Sequence, residues 1–283
     1  MPPVPEIAFL NFSIESSFLS KPFFCVAFAA FFVLPLFFKE DESAMITTYE
    51  DMIAHVQEKT YQRKILLSFS GGKDAWGTWI ATREHFEITP FYYYIVPHLE
   101  FIDDYLGRCE KRLGCRIRQY PHPMLYDMLT SCTFQPPQRI WALEHMGLQT
   151  FDKDMLHRCI ESDVGFPNHS VYVALGLRAA DSIMRSSHFK MHGPVDDKRK
   201  VFSPIFDWKK DRLLAALKKE GIKLSKEYRW FGRTFDGPVL LYSWGLKKYA
   251  PRDYARLLEW FPMIESEVWR YERHLKTNGA SHA

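Results

Sequence analysis

The most constraining stretch of the chain is Lys64-Ile65-Leu66-Leu67-Ser68-Phe69-Ser70-Gly71-Gly72-Lys73-Asp74-Ala75. A short apolar run stops at a glycine pair, and a helical pattern over residues 75–85 follows at once. Such a run reads as a buried strand that turns sharply into a helix. The rhythm repeats downstream. Residues 90–96 form a second strand rich in β-formers, and 101–113 a helix closed by Gly114. Residues 116–120 form a third strand stopped by Pro121, and 171–175 a fourth, after a helical and irregular spacer over 121–170. Strands alternating with helices predict an α/β fold, with a mainly parallel sheet covered by helices on both faces. The C-terminal part reads as helical. Asp207 is placed to cap a helix over 208–220, with Leu213, Leu214 and Leu217 inward and Gly221 as its stop. Tyr254, Leu257, Leu258 and Phe261 share a helical stripe. Pro262 opens a last helix carrying Ile264, Val268, Tyr271 and Leu275.

Composition sets the class. The chain has 283 residues, 47% hydrophobic and 25% charged, which excludes disorder, collagen and a coiled-coil rod. A net charge of +3 implies no strong polyanion partner by total charge alone. Five cysteines at 25, 109, 115, 132 and 159 form no C-x-x-C pair, so a reducing, cytoplasmic location is expected rather than a disulfide framework. Residues 1–44 differ from the rest. They hold 10 of the 23 phenylalanines and carry two basic against five acidic side chains. Residues 22–38 are apolar or proline throughout, 17 in a row, just short of the ~20 that cross a bilayer. This N-terminal extension reads as an upstream-start artefact ahead of Met45, with a membrane anchor or a docked hydrophobic arm as alternatives. A membrane partner is expected only if residues 22–38 are functional. Residues 45–283 then form the nucleotide-binding domain argued next, opening with a short helix from Thr47 or Thr48 to Val56.

The turn after the first strand has the physical properties of a phosphate site. Ligands of parallel α/β sheets bind at the carboxyl ends of strands. A helix N-terminus adds free N–H groups and the positive end of the helix dipole. Gly71 and Gly72 allow close backbone approach, Ser68 and Ser70 bring hydroxyls, and Lys73 a mobile charge. Asp74 is suited to cap the helix or to hold a phosphate-bound Mg²⁺. A tight turn without a ligand has the same pattern, and the spacing matches neither a Walker loop nor G-x-G-x-x-G.

Ser70-Gly71-Gly72-Lys73-Asp74 resembles the S-G-G-x-D-S signature of the PP-loop superfamily of ATP pyrophosphatases and phosphoadenylyl-sulfate (PAPS) reductases. Two further segments follow in the order found in the PAPS reductase-like branch. Leu175-Gly176-Leu177-Arg178-Ala179-Ala180-Asp181-Ser182, with Arg185 after it, is similar to G-x-R-x-x-E-S. Ser203-Pro204-Ile205-Phe206-Asp207-Trp208 is similar to P-x-x-D-W. The resemblance spans about residues 70–235. It implies an adenine nucleotide α-hydrolase-like sheet that binds ATP or PAPS with Mg²⁺. It further implies a nucleotide site made of Ser68, Ser70, Gly71, Gly72, Lys73, Asp74, Gly176, Arg178 and Arg185. In that set Lys73, Asp74 and Arg178 act on the reaction, and Asp74 is the metal ligand.

Two positions depart from the pattern. Ala75 stands where the family has a second serine. No cysteine follows Cys159, although the reductases attack sulfur with a C-terminal thiol; Tyr228–Gly237 falls near that region and carries none. The resulting expectation is ATP-dependent adenylation of an unknown acceptor with release of pyrophosphate, since this chemistry needs no covalent residue. A sulfonucleotide reductase-type enzyme and a non-catalytic nucleotide-binding module stay open. The acceptor is a small metabolite or nucleic acid. For the latter, Asp196–Lys200 with Lys209, Lys210, Lys218 and Lys219 offers basic charge, although such runs also serve as solvated loops. His188 and His192 have helical metal spacing but no acid to complete a set.

Overall fold

In the computed structural model, residues 46–235 and 237–279 are described. The readings of residues 1–44 and of the start at Met45 lie outside them. Six strands make one sheet: β1 Lys64–Ser68, β2 Glu87–Tyr94, β3 Arg118–Pro121, β4 Tyr172–Ala174, β5 Val195–Asp196 and β6 Val201–Phe202. Their order is β3-β2-β1-β4-β6-β5, parallel except for the β5–β6 pair. The helices are α1 Tyr49–Lys59, α2 Lys73–Thr82, α3 Glu100–Leu113, α4 Pro123–Thr130, α5 Pro137–His145, α6 Lys153–Val164, α7 Ile183–His192, α8 Lys210–Lys219, α9 Glu227–Phe231, α10 Leu240–Tyr249, α11 Pro251–Trp260 and α12 Ile264–Gly279. This is the α/β architecture the sequence predicts.

Alternation along the strands builds two cores. Ile65 and Leu67 of β1, Tyr172 and Ala174 of β4 and Phe202 of β6 point to one face. There they meet Met52 and Val56 of α1, Trp76 of α2 and Leu213 and Leu217 of α8. Leu66, Phe91, Val173 and Val201 point to the other, against Leu156 and Ile160 of α6. Both faces are therefore covered by helices. Since a one-residue slip would exchange every side chain between the faces, the strand register is strongly specified.

Local chemistry sets the helix ends. Thr48 caps α1 by accepting the Asp51 N–H at 3.1 Å, and Gly114 ends α3 in the left-handed region. Asp253 of α11, buried, accepts the N–H groups of Glu100 and Phe101 and so caps α3 from another element. Three expectations are corrected. Asp207 does not cap α8: it pairs with Arg212 at 3.1 Å, and the helix starts at Lys210 after Lys209, with no side-chain cap. Leu214 is exposed, because only Leu213 and Leu217 lie on the stripe facing the sheet. Leu275 is exposed on α12, whereas Ile264 and Val268 are buried. Among the described residues no helix is long and apolar enough to cross a membrane.

His157 of α6 is packed into the second core against Phe91 and stacked on Tyr93, with its Nδ1 unpartnered. Burial pushes its pKa down to about 4. The unfolded chain takes that proton near pH 6.5, so the folded state loses stability as pH falls below that value. Between pH 7 and 5 the unfolding free energy of the wild type should fall by about 2 kcal/mol more than that of His157→Phe, as urea denaturation at the two pH values will show. Equal slopes would mean that burial does not shift the His157 pKa.

Candidate functional site

The strand order reverses between β1 and β4. Chain segments leave these neighbours in opposite directions across the sheet, the place where ligands of parallel α/β sheets bind at the carboxyl ends of strands. The Ser70–Asp74 turn leaves β1 there, and the Leu175–Arg178 segment leaves β4. The strongest sequence signal thus lies at the topological switch point.

Aromatic packing holds the turn on both sides. Phe69 before it and Trp76 after it are buried and meet edge to face at 5.0 Å. Trp76 Nε1 donates to Tyr105 Oη at 3.0 Å, and that hydroxyl donates to the Gly71 carbonyl at 2.9 Å. Gly71 has φ +72°, and a Cβ there would stand 2.7 Å from the Tyr105 ring, so glycine is required twice over. Gly72 is the N-cap of α2 and supplies no capping side chain. The first amides of α2 thus have no intrahelical acceptor. One of them, Lys73 N–H, donates to Tyr228 Oη at 3.2 Å.

The second segment packs directly on the first. A Cβ on Gly176 would lie 3.0 Å from the Asp74 carbonyl carbon, so only glycine lets the two backbones approach this closely without displacement. Arg178 is 4% exposed. Its Nε stands 2.8 Å from Asp74 Oδ1 and its Nη2 2.5 Å from Asp181 Oδ1. Nη1 donates to the Trp208 carbonyl at 3.4 Å, which ties in the third segment. Lys73 Nζ reaches Asp74 Oδ2 at 2.5 Å, and Arg185 Nη1 reaches Asp181 Oδ2 at 2.8 Å. A chain of five alternating charges results: Lys73, Asp74, Arg178, Asp181, Arg185. It carries one positive charge in surplus. The Asp74–Arg178 contact is close but poorly aligned, and Asp74 Oδ1 and Arg178 Nε are both buried without a hydrogen-bond partner.

The three sequence segments, far apart in the chain, therefore meet. Ser68 is the last residue of β1, Ser70 Oγ accepts the Gly72 N–H at 3.4 Å, and Ser182 caps α7. Arg185 lies at the exposed end of the charge chain. Trp208 is buried beside Gly77 of α2, and Asp207 points away to Arg212. Tyr105, Tyr228 and Thr234 also touch the turn; no motif marks Tyr105, and the Tyr228–Gly237 segment stands out in the sequence only for lacking a cysteine. Burial beside the Asp74 carboxylate raises the Tyr228 pKa and keeps its phenol neutral. Among the described residues no group of three or more His, Cys, Asp or Glu is placed to hold a metal ion, His188 and His192 included.

No protein-family profile matches the chain, and no curated protein matches it. Among solved structures it is similar to the U34-tRNA thiolase NcsA from Methanococcus maripaludis with its [4Fe-4S] cluster, with 12% identity and a TM-score of 0.40 over 76% of this chain and 78% of that one. It is also similar to the NH3-dependent NAD synthetase from Campylobacter jejuni in complex with nitrate, with 13% identity and a TM-score of 0.38 over 78% and 92%. At these scores the fold assignment rests on the sheet order itself.

Removing the Arg178 guanidinium leaves Asp74 and Asp181 facing each other without a buried counter-charge. Arg178→Ala should lower the unfolding free energy by about 2–4 kcal/mol, and Arg185→Ala by no more than about 0.5 kcal/mol, in urea titrations with unchanged m-values. Equal losses would show that the buried pair is not a structural tie.

Proposed function

We propose that the chain is a PP-loop enzyme that binds ATP at Ser70–Asp74 and transfers the adenylyl group to an acceptor, releasing pyrophosphate. The observation that carries this reading is the meeting of the Ser70–Asp74 turn with Gly176 and Arg178 at the switch point of a parallel sheet. The terminal phosphates would lie on the amides of Gly71, Gly72 and Lys73, where the helix dipole favours negative charge. Lys73 and Arg178, each now paired with Asp74, would turn to the phosphates, with Arg185 at the outer rim. Ser68 and Ser70 offer hydroxyls at the same strand end.

The donor set fits ATP-borne Mg²⁺. Such an ion usually takes one or two carboxylates and fills its shell with phosphate oxygens and water. Asp74 is the carboxylate of the turn, and its Oδ1 and Oδ2, now against Arg178 Nε and Lys73 Nζ, would face the ion once those cations turn to the phosphates. When bound, Mg²⁺ would neutralise charge on the leaving pyrophosphate. An acceptor oxygen attacks the α-phosphorus, and the bond from that phosphorus to the β-phosphate oxygen breaks. The protein's share is to align the phosphates and to offset the charge that develops on pyrophosphate, without a covalent residue. ATP is preferred to PAPS because no cysteine follows Cys159 to attack sulfur.

The full chain should bind ATP–Mg²⁺ in calorimetry, and Lys73→Ala should weaken binding by about tenfold, the scale of one charge-assisted hydrogen bond. Incubation with candidate acceptors should yield the adenylylated acceptor and pyrophosphate in equal amounts. Tighter binding of PAPS than of ATP would contradict the proposal, as would ATP binding unaffected by Lys73→Ala.

A further inference from the structure

The ceiling of the turn is a short piece of chain, residues 225–235, built around α9. Tyr228 Oη accepts the Lys73 N–H at 3.2 Å. A Cβ built on Gly72 would meet Thr234 Cγ2 at 3.1 Å and Tyr228 Oη at 3.2 Å. The volume directly over these two residues is therefore filled by protein. The cavity behind the turn, lined by Ser70, Tyr105, Ser225 and Glu227 among others, has room for about one water molecule. A phosphate oxygen cannot take the Lys73 N–H while the Tyr228 phenol stays on it.

The piece is held by its own loop and by ring contacts to Phe101 of α3 and to α10, more firmly than by the turn. Glu227, 5% exposed, accepts the Phe235 N–H at 2.9 Å and so closes residues 227–235 into a loop. Phe231 fills the space left by the missing side chain of Gly245 and meets Tyr242 edge to face at 4.9 Å. Trp230 stacks on Tyr249 at 5.7 Å, and Gly232 turns the chain at φ +73°. By contrast, the hydrogen bond that Tyr228 Oη accepts from the turn is neutral, and Thr234 adds van der Waals contact. An anionic oxygen on the same amide makes a charge-assisted bond roughly twice as strong.

We propose that Tyr228 is a placeholder for a phosphate oxygen: an entering polyphosphate replaces the phenol on Lys73 N–H, and the Tyr228 and Thr234 side chains withdraw from the turn. This rests on the nucleotide reading above and adds to it the step by which ligand gains entry. A ligand must then carry an anionic oxygen to exchange for the phenol; a neutral nucleoside cannot open the site.

Three forms of the full chain test this with ATP–Mg²⁺ and with inorganic pyrophosphate: wild type, Tyr228→Phe and Tyr228→Ala. Tyr228→Phe removes one competing neutral hydrogen bond, so both ligands should bind roughly fivefold tighter. Hydrogen exchange of the wild type should slow at residues 71–76 on ligand addition and quicken at 225–235. Weaker binding by Tyr228→Phe would overturn the placeholder, as would slower exchange at 225–235, since both would make Tyr228 a ligand contact. Wild type that fails to bind while Tyr228→Ala binds would support it, as a latched site. If all three fold and none binds either probe, the nucleotide reading and the placeholder fall together. Loss of binding in Tyr228→Phe alone sinks only the placeholder.

Discussion

The ion pair between Asp74 and Arg178 joins the ends of two neighbouring strands. Asp74 stands in the first turn of α2, and Arg178 follows β4. Their contact needs Gly176, whose missing side chain lets the two backbones approach, and it needs Asp181 and the Trp208 carbonyl to satisfy the rest of the guanidinium. In this way one buried cation holds three chain segments at the switch point. Its alignment with Asp74 is poor, which leaves two buried polar atoms without hydrogen bonds. Such atoms are costly in a purely structural role.

The surroundings divide the work. Phe69, Trp76 and Tyr105 clamp the turn from below through packing and two hydrogen bonds. Tyr228 and Thr234 cover it from above through a single neutral hydrogen bond and van der Waals contact. The turn is thus fixed from below, while the phenol on its first helical amide comes from a segment anchored on α3 and α10.

Much of this was legible in the sequence. Strands β1 to β4 and helices α1 to α3 follow from apolar runs, capping residues and glycine stops, which act locally. The meeting of the Gly71–Gly72 turn with Gly176 and Arg178 was foreshadowed by the resemblance to PP-loop segments. Other features were not legible, because they depend on partners distant in the chain. Asp207 looked like a cap but found Arg212 instead. Leu214 looked inward until packing on the sheet selected Leu213 and Leu217. Asp253 caps a helix about 150 residues away, and Tyr228 reaches Lys73 across a similar separation. No local pattern announces contacts of that kind.

The most direct test of the central claim is the amide spectrum of the full, isotope-labelled chain during an ATP–Mg²⁺ titration. The account predicts one saturable transition in which Gly71, Gly72 and Lys73 shift together with Gly176 and Arg178. Shifts confined to other parts of the fold, or none at ATP concentrations in the millimolar range, would contradict it.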